Sequence, residues 1–262
     1  MLVLLLLGLA LGGLMYNLIS AQAKHGTATL LPPVVLQTQS RPLTNEVDKV
    51  EIDAPIDLYI TPAKQASLVI EADSRLLNKI IVDQQGRTLR ISTKGLFITM
   101  NDALKITLNL PAITELNQRG SGNVVLSGFT APQMTALLSG SGDTRLQGQF
   151  KNLLVKLQGS GNADINSGSS DKAELQCSGS GNAAMLGKAA DLTVSLSGSG
   201  NVDAQRMIAQ NASAGVTGSG NVKLYANQSA NLTLSGSGNI DMYGNPARHT
   251  IKKTGSGEIS WD

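Results

Sequence analysis

The sequence predicts an all-β parallel β-helix, a single-chain solenoid whose coils stack directly on one another. Two observations carry this. The triplet Gly-Ser-Gly recurs eight times at spacings of 18 to 20 residues, and each copy stands between segments that alternate apolar and polar residues. Period-two alternation marks a strand with one buried face. No connection has the length or patterning of a crossover helix, so equivalent positions must lie one above another. About eight regular coils, mostly of 19–20 residues, are expected, forming a rod roughly 35–40 Å long at the ordinary inter-strand spacing. Right-handed winding is expected, because parallel crossovers are overwhelmingly right-handed.

Taken in chain order, residues 1–23 read as a secretory signal: apolar from Met1 to about Tyr16, then "AQA", Ala21–Ala23, as a small-residue cleavage site. No charge precedes Lys24, so the basic opening of such a signal is missing. The alternative is an uncleaved anchor, since the uncharged stretch just reaches the ~20 residues that a membrane helix needs. Either reading puts the rest of the chain outside the cytoplasm, in the periplasm or at the surface of a bacterium, or tethered to the inner membrane by residues 1–19. Residues 24–45 read as a linker and first strand, stiffened by Pro32-Pro33.

Residues 46–262 read as the β-helical domain. Its opening is irregular but strand-rich: "DKVEIDAPIDLYITP", "ASLVIEA", "RTLRIST" and "LKITLNLP" all alternate. "SRLLNKIIVDQQG" reads as two strands and a loop in preference to a helical turn. These segments are expected to form early, irregular coils of the same solenoid, with a separate cap domain as the alternative. From about residue 112 the repeats are regular. Two and four residues before each first Gly stand inward columns such as Leu157, Cys177, Leu196 and Val155, Leu175, Val194. Four and six residues after it stand Val202, Val222, Ile240 and Ala204, Leu224, Met242. A looser return, often with its own Gly, closes each coil. The last coil, "HTIKKTGSGEISWD", reads as a cap: its charges blunt the open strand edge, and Trp261 lies across the core.

Stacking converts the corner into columns. The first holds Gly120, Gly140, Gly159, Gly179, Gly198, Gly218, Gly236 and Gly255; Ser121 begins a column of serines; Gly122 begins a third column, again all glycine, that includes Gly181. The fourth is Asn123, Asp143, Asn162, Asn182, Asn201, Asn221, Asn239 and Glu258. Glycine suits close backbone approach or φ > 0, and stacked Asn side chains can bond into a ladder. The corner is therefore expected to be structural. A phosphate loop needs a helix N-terminus behind it, and here a strand follows each copy. A calcium site needs carboxylates, and this column is mostly neutral. No cofactor or metal is expected.

An outward column, Arg145, Asp164, Asp203, Lys223 and Asp241, is the best candidate for surface chemistry. Asp164 and Asp203 would stand two coils apart, ~9–10 Å, near the upper end of the carboxylate separation of inverting glycosidases. An ordinary solvated face gives the same spacing. Cys177 replaces Leu in an inward column and reads as an inert core thiol. With 21 basic and 19 acidic residues, net +2, the chain shows no nucleic-acid character. The 3% aromatic content is low.

The export signal, the irregular strand-rich opening and the iterated "GSGN[VI]" resemble the putative auto-transporter adhesin head GIN domain family. The closest local match is "KITLNLPAITELNQRGSGNVVL", Lys105–Leu126, and the resemblance spans about Val47 to Asp262. It implies a right-handed β-helix shaped like pectin lyases but without their catalytic residues, and a role in adhesion. It brings no catalytic residue to this chain. Absence of stacked aromatics weakens any implied sugar recognition through rings. The leading expectation is a non-enzymatic envelope or secreted protein presenting an interaction surface to a glycan or a cell-surface protein. The alternative is a carbohydrate-binding or polysaccharide-active β-helix that uses the outward column.

Overall fold

The structure, a computed structural model, describes residues 35–95 and 104–262. The signal or anchor reading of residues 1–23, and the first part of the linker, lie outside the described residues. The described residues are 75% strand and 2% helix, and their parallel coils make a β-solenoid of about 7 turns. Eight corners bound these turns, which accounts for the difference from the eight regular coils counted in the sequence.

The regular body consists of five long strands: β9 (Val124–Gly140), β10 (Thr144–Gly159), β11 (Ala163–Gly179), β12 (Ala183–Gly198) and β13 (Asn201–Gly218), followed by β14 (Asn221–Gly236). Each pairs in parallel with the next, and the triplet glycines fall in register, Gly140 on Gly159 on Gly179 on Gly198 on Gly218 on Gly236. Inward columns follow from that register. Leu157, Cys177, Leu196, Val216 and Leu234 stack in one, each 5% exposed or less. Burying such a side chain contributes about 1.5–3 kcal/mol, and each coil adds several.

The return is not loose. Gly148–Phe150 of β10 pairs with Phe129–Ala131 of β9, so the return is a third hydrogen-bonded side of the coil. Its inward positions are Phe150, Ser170, Ala189, Ala209 and Ala226, all buried. Register slips occur here, for example between Gln147 and Gly148 and between Ala204 and Ile208. The segments leading into each Gly-Ser-Gly keep register throughout. Insertions of one or two residues are thus absorbed at the return, which is why the triplet spacing varies while the corners stay aligned.

The opening segments do form coils, but not in chain order. β2 (Lys49–Asp53) and β3 (Asp57–Pro62) lie in parallel beneath β8 (Glu115–Gly120) and β9. β6 (Thr88–Thr93) and β7 (Lys105–Leu110) lie in parallel on the other side of β2 and β3. The chain therefore threads its second coil before its first. Asp48, just before β2, ties this corner together by accepting from the Arg87 guanidinium and the Thr114 hydroxyl.

An antiparallel layer then closes the stack. β5 (Ile80–Gln85) pairs with β6, β4 (Ser67–Asp73) with β7, and β1 (Leu36–Arg41) with β4. The expected pair of strands in "SRLLNKIIVDQQG" is instead one helical turn, α1 (Ser74–Leu77), and β5. α1 links β4 to β5, and its adjacent Leu76 and Leu77 are buried. Asp73 starts the turn by accepting from the Arg75 amide at 2.9 Å and from its guanidinium. Those bonds hold the Asp73 carboxyl down at about 2.

The other end is barer. β15 (Asn239–Tyr243) carries β17 (Glu258–Trp261), and β14 carries β16 (Arg248–Thr254). Trp261 stands over Met242 and packs beside His249, ring centroids 5.1 Å apart. It keeps 38% of its surface, and Ile251 keeps 44%. The last coil thus covers Met242 and Leu232, but nothing among the described residues covers it in turn.

A Cβ placed on Gly181 would stand 2.1 Å from the Gly161 carbonyl oxygen, which belongs to backbone and cannot rotate away. Gly181→Val is therefore expected to cost about 3–5 kcal/mol, in the range of severe steric substitutions, and to lower the melting temperature by roughly 6–20 °C for a domain of this size. Thermal melting followed by circular dichroism checks it. An unchanged melting temperature contradicts the stacking geometry.

Candidate functional site

The corner is built from backbone first. The amides of the second and third triplet residues both donate to the carbonyl of the first Gly one coil below: Ser160 and Gly161 to Gly140 at 3.1 and 3.2 Å, Ser180 and Gly181 to Gly159 at 3.0 and 3.1 Å. The same pair recurs at Ser199 and Gly200, Ser219 and Gly220, and Ser237 and Gly238. A phosphate-cradling loop must aim such amides at its anion. Here they are already engaged.

The fourth column is a continuous hydrogen-bonded ladder. Asn201 donates to Asn182 Oδ1 from its backbone N at 3.1 Å and from Nδ2 at 3.0 Å. Asn182 does the same to Asn162, Asn221 to Asn201, and Asn239 to Asn221. Glu258 ends the ladder by donating its amide to Asn239 Oδ1 at 2.9 Å. The opposite end lies one coil earlier than the motif shows: Asp57, in "DAPID", accepts from Asn123 N and Nδ2 at 2.9 and 3.1 Å. A first rung needs only to accept, so a carboxylate serves. The Oδ1 atoms of Asp57, Asp143, Asn162, Asn182, Asn201 and Asn221 each accept two donors, which leaves them little for a cation.

One rung departs from the pattern, and so do two inward positions beside it. Asp143 accepts from Asn162 N and Nδ2 at 2.9 and 3.0 Å, but gives Asn123 only its backbone N–H, at 3.1 Å. Gln118 occupies an inward Leu position and is 3% exposed. Its Nε2 donates to the Gly122 carbonyl at 2.6 Å, and its Oε1 accepts from the hydroxyl of Thr144, itself a substitute for an inward Val. Two polar departures in adjacent columns thus satisfy each other, a pairing that single-column reading does not reveal.

Beside the ladder runs the outward charged column. Arg145 lies next to Asp164 in register and bridges it at 3.2 Å. Ala184 separates Asp164 from Asp203, after which Asp203, Lys223 and Asp241 are consecutive. Ser260 donates to Asp241 at 2.7 Å. The column continues the other way through Val125 to Tyr59, over which Lys105 sits at 4.8 Å from the ring. Tyr59 and Ser260 were not among the sequence candidates, because one lies before the repeats and the other is an ordinary Ser.

Ladder and column enclose two open grooves. One, of about 430 Å³, is lined by Asn201, Asp203, Asn221, Lys223, Asn239, Asp241, Glu258 and Ser260. The other, of about 260 Å³, is lined by Asn123, Val125, Asp143, Arg145, Asn162 and Asp164. Charges alternate along both, and the carboxylates stand in line rather than converging on a point. Cys177 is on another side, buried, its thiol pushed up to about 12 by desolvation.

A family model described as "putative auto-transporter adhesin, head GIN domain" matches residues 46–246, ending before the last two strands. Solved structures share the fold. A putative lipid binding protein from Parabacteroides distasonis is 24% identical, with TM-score 0.74 over 87% of this chain and 96% of that one. A putative adhesin from Bacteroides fragilis is 21% identical, TM-score 0.65, over 88% and 99%. A putative adhesin from Parabacteroides merdae is 17% identical, TM-score 0.69, over 87% and 96%. No protein in the curated comparison matches the chain.

Asp143→Asn restores the missing Nδ2 donor to Asn123. A net hydrogen bond contributes about 0.5–1.5 kcal/mol, so the melting temperature at pH 7 should rise by roughly 1–6 °C; a fall would show that the ladder is not continuous there. Cys177 in the native protein should resist thiol reagents at pH 8 and react promptly in denaturant. Rapid native-state labelling would place it at the surface.

Proposed function

We propose that this chain, which belongs to the putative auto-transporter adhesin head GIN domain family, is an exported, non-catalytic solenoid that presents its outer columns as an interaction surface. The observation that carries the reading is the division of labour between columns. Inward and corner positions repeat because packing, backbone contact and the Asn ladder demand it. Outward positions change from coil to coil: Arg145, Asp164, Ala184, Asp203, Lys223, Asp241. A scaffold that varies most on its solvent face is suited to selective contact over a long, flat area. The grooves along the ladder are the place for it, and a glycan or a cell-surface protein is the class of partner.

The polysaccharide-active alternative draws on Asp164 and Asp203. Against it, Asp164 is bridged to Arg145, Asp203 and Asp241 flank Lys223, and the carboxylates are spread along a line. Hydrolysis needs two carboxylates facing each other across one bond. Adhesion needs only complementary charges and hydroxyls.

The test is a glycan and envelope-protein array probed with the full chain, followed by Asp203→Ala and Lys223→Ala. Both side chains are exposed, so melting should move by no more than about 0.5 kcal/mol equivalent, while binding to the captured ligand falls at least tenfold. Release of soluble oligosaccharide from any arrayed polymer would overturn the non-catalytic reading. Binding that survives both substitutions would move the surface elsewhere.

A further inference from the structure

In the last coil β16, like β17, is paired along one edge only among the described residues. It is hydrogen-bonded to β14 from Ser229 opposite Arg248 to Ser235 opposite Thr254, and no ladder is recorded on its other edge among the described residues. All seven of its residues are exposed. An edge of this kind offers a row of unpaired N–H and C=O groups to any extended chain that fits it.

Its side chains define what fits. The register continues the solenoid's columns: His249, Ile251 and Lys253 lie over Ala230, Leu232 and Leu234 on the inward side, and Arg248, Thr250 and Lys252 face outward. Arg248, Lys252 and Lys253 make no ion pair among the described residues. Three unpaired cations around one exposed isoleucine select for the opposite pattern. A strand laid on this edge would place an apolar residue on Ile251 and carboxylates against the cations, and such cross-strand pairs are favourable. A second copy of the same edge would bring two sets of three cations together with no carboxylate between them and is disfavoured. A lipid surface would meet the cations but leave the edge amides and carbonyls unpaired in an apolar layer.

We propose that the free edge of β16 binds an extended acidic polypeptide segment by strand addition, adding one more rung to the solenoid. The segment carries carboxylates opposite Arg248, Lys252 and Lys253 and an apolar side chain over Ile251. This docking edge is separate from the ladder face, so the two functions stand or fall independently.

The test uses the full chain and a labelled peptide in parallel register, acetyl-Glu-Thr-Thr-Val-Glu-Glu-Thr-amide, followed by fluorescence anisotropy. Trp261, the single tryptophan of the chain, packs against His249 and reports locally. Saturable binding is expected, at least tenfold tighter than for the peptide with Gln in place of Glu. Lys252→Glu with Lys253→Glu should weaken it at least tenfold, with melting checked in parallel. Two further peptides, N-methylated on alternate amides in the two possible phases, leave the protein untouched. One phase should lose at least tenfold in affinity and the other little, because only alternate amides of an added strand face the edge. The proposal is overturned if the acidic peptide does not saturate, or if both N-methylated phases bind like the parent. It is equally overturned if phosphatidylglycerol vesicles capture the chain and the peptide does not.

Discussion

The structure depends on one contact, repeated at each corner: a glycine resting directly on the carbonyl of the glycine one coil below. At the third triplet position an added Cβ would come within 1.9 to 2.2 Å of that oxygen from Gly142 through Gly257. At the first position the gap is 2.3 to 2.5 Å from Gly140 through Gly255, and the backbone there takes positive φ, such as 115° at Gly179. No side chain can be accommodated in either column. Because the corners must coincide, the strands on both sides must coincide too, and the inward residues fall into unbroken apolar columns. The Asn ladder is a consequence of the same alignment, since its rungs are close enough to bond only if every corner is in phase. The contacts are individually modest, but stability in a solenoid sums over neighbouring coils.

Freedom left over by this constraint is distributed unevenly. The return side absorbs insertions through register slips, so coil length can drift without disturbing a corner. The outward positions beside the ladder carry Arg, Asp, Ala, Lys or Ser without a packing penalty. Function is therefore sought where repetition stops. Even inside the core, the repeat tolerates a polar exchange when the partner is supplied, as Gln118 and Thr144 show. The two ends obey different rules: one is sealed by antiparallel strands and the buried Leu76 and Leu77, and the other presents β16, whose outer backbone edge has no partner among the described residues.

Much of the regular body was legible in the sequence because both of its periods are short and strict. The two-residue alternation names the inward face, and the triplet fixes the phase between coils. What escaped lies where neither period operates. Asp57 is the first rung of the ladder, but its corner reads "DAPID", with Ala54 and Ile56 beneath Gly120 and Gly122 instead of glycines. No motif marks it, because Ala54 and Ile56 stand where the later corners carry glycine. The inverted threading of β2–β3 and β6–β7 is equally silent: alternation says that each is a strand, and says nothing of which coil lies below which. α1 was obscured because Leu76-Leu77 fits a strand as well as a plug, and only its place between β4 and β5 decides. The return was read as loose because its small inward residues, Ala189, Ala209 and Ala226, give a weak pattern. The charged column was legible as a column, while its partners Tyr59 and Ser260 were not, since they lie outside the regular repeats or carry no distinguishing chemistry.

That the triplet is a structural joint and not an open loop is the claim on which the account turns. Native-state hydrogen exchange at the triplet amides tests it most directly. Ser160, Gly161, Ser180, Gly181, Ser199 and Gly200 each donate to a carbonyl in the coil below. They should exchange as slowly as the neighbouring strand amides, through the same cooperative opening. Exchange of these amides at the rate of an unstructured Gly-Ser loop, while the strands stay protected, would contradict it and return the corner to the list of candidate binding sites.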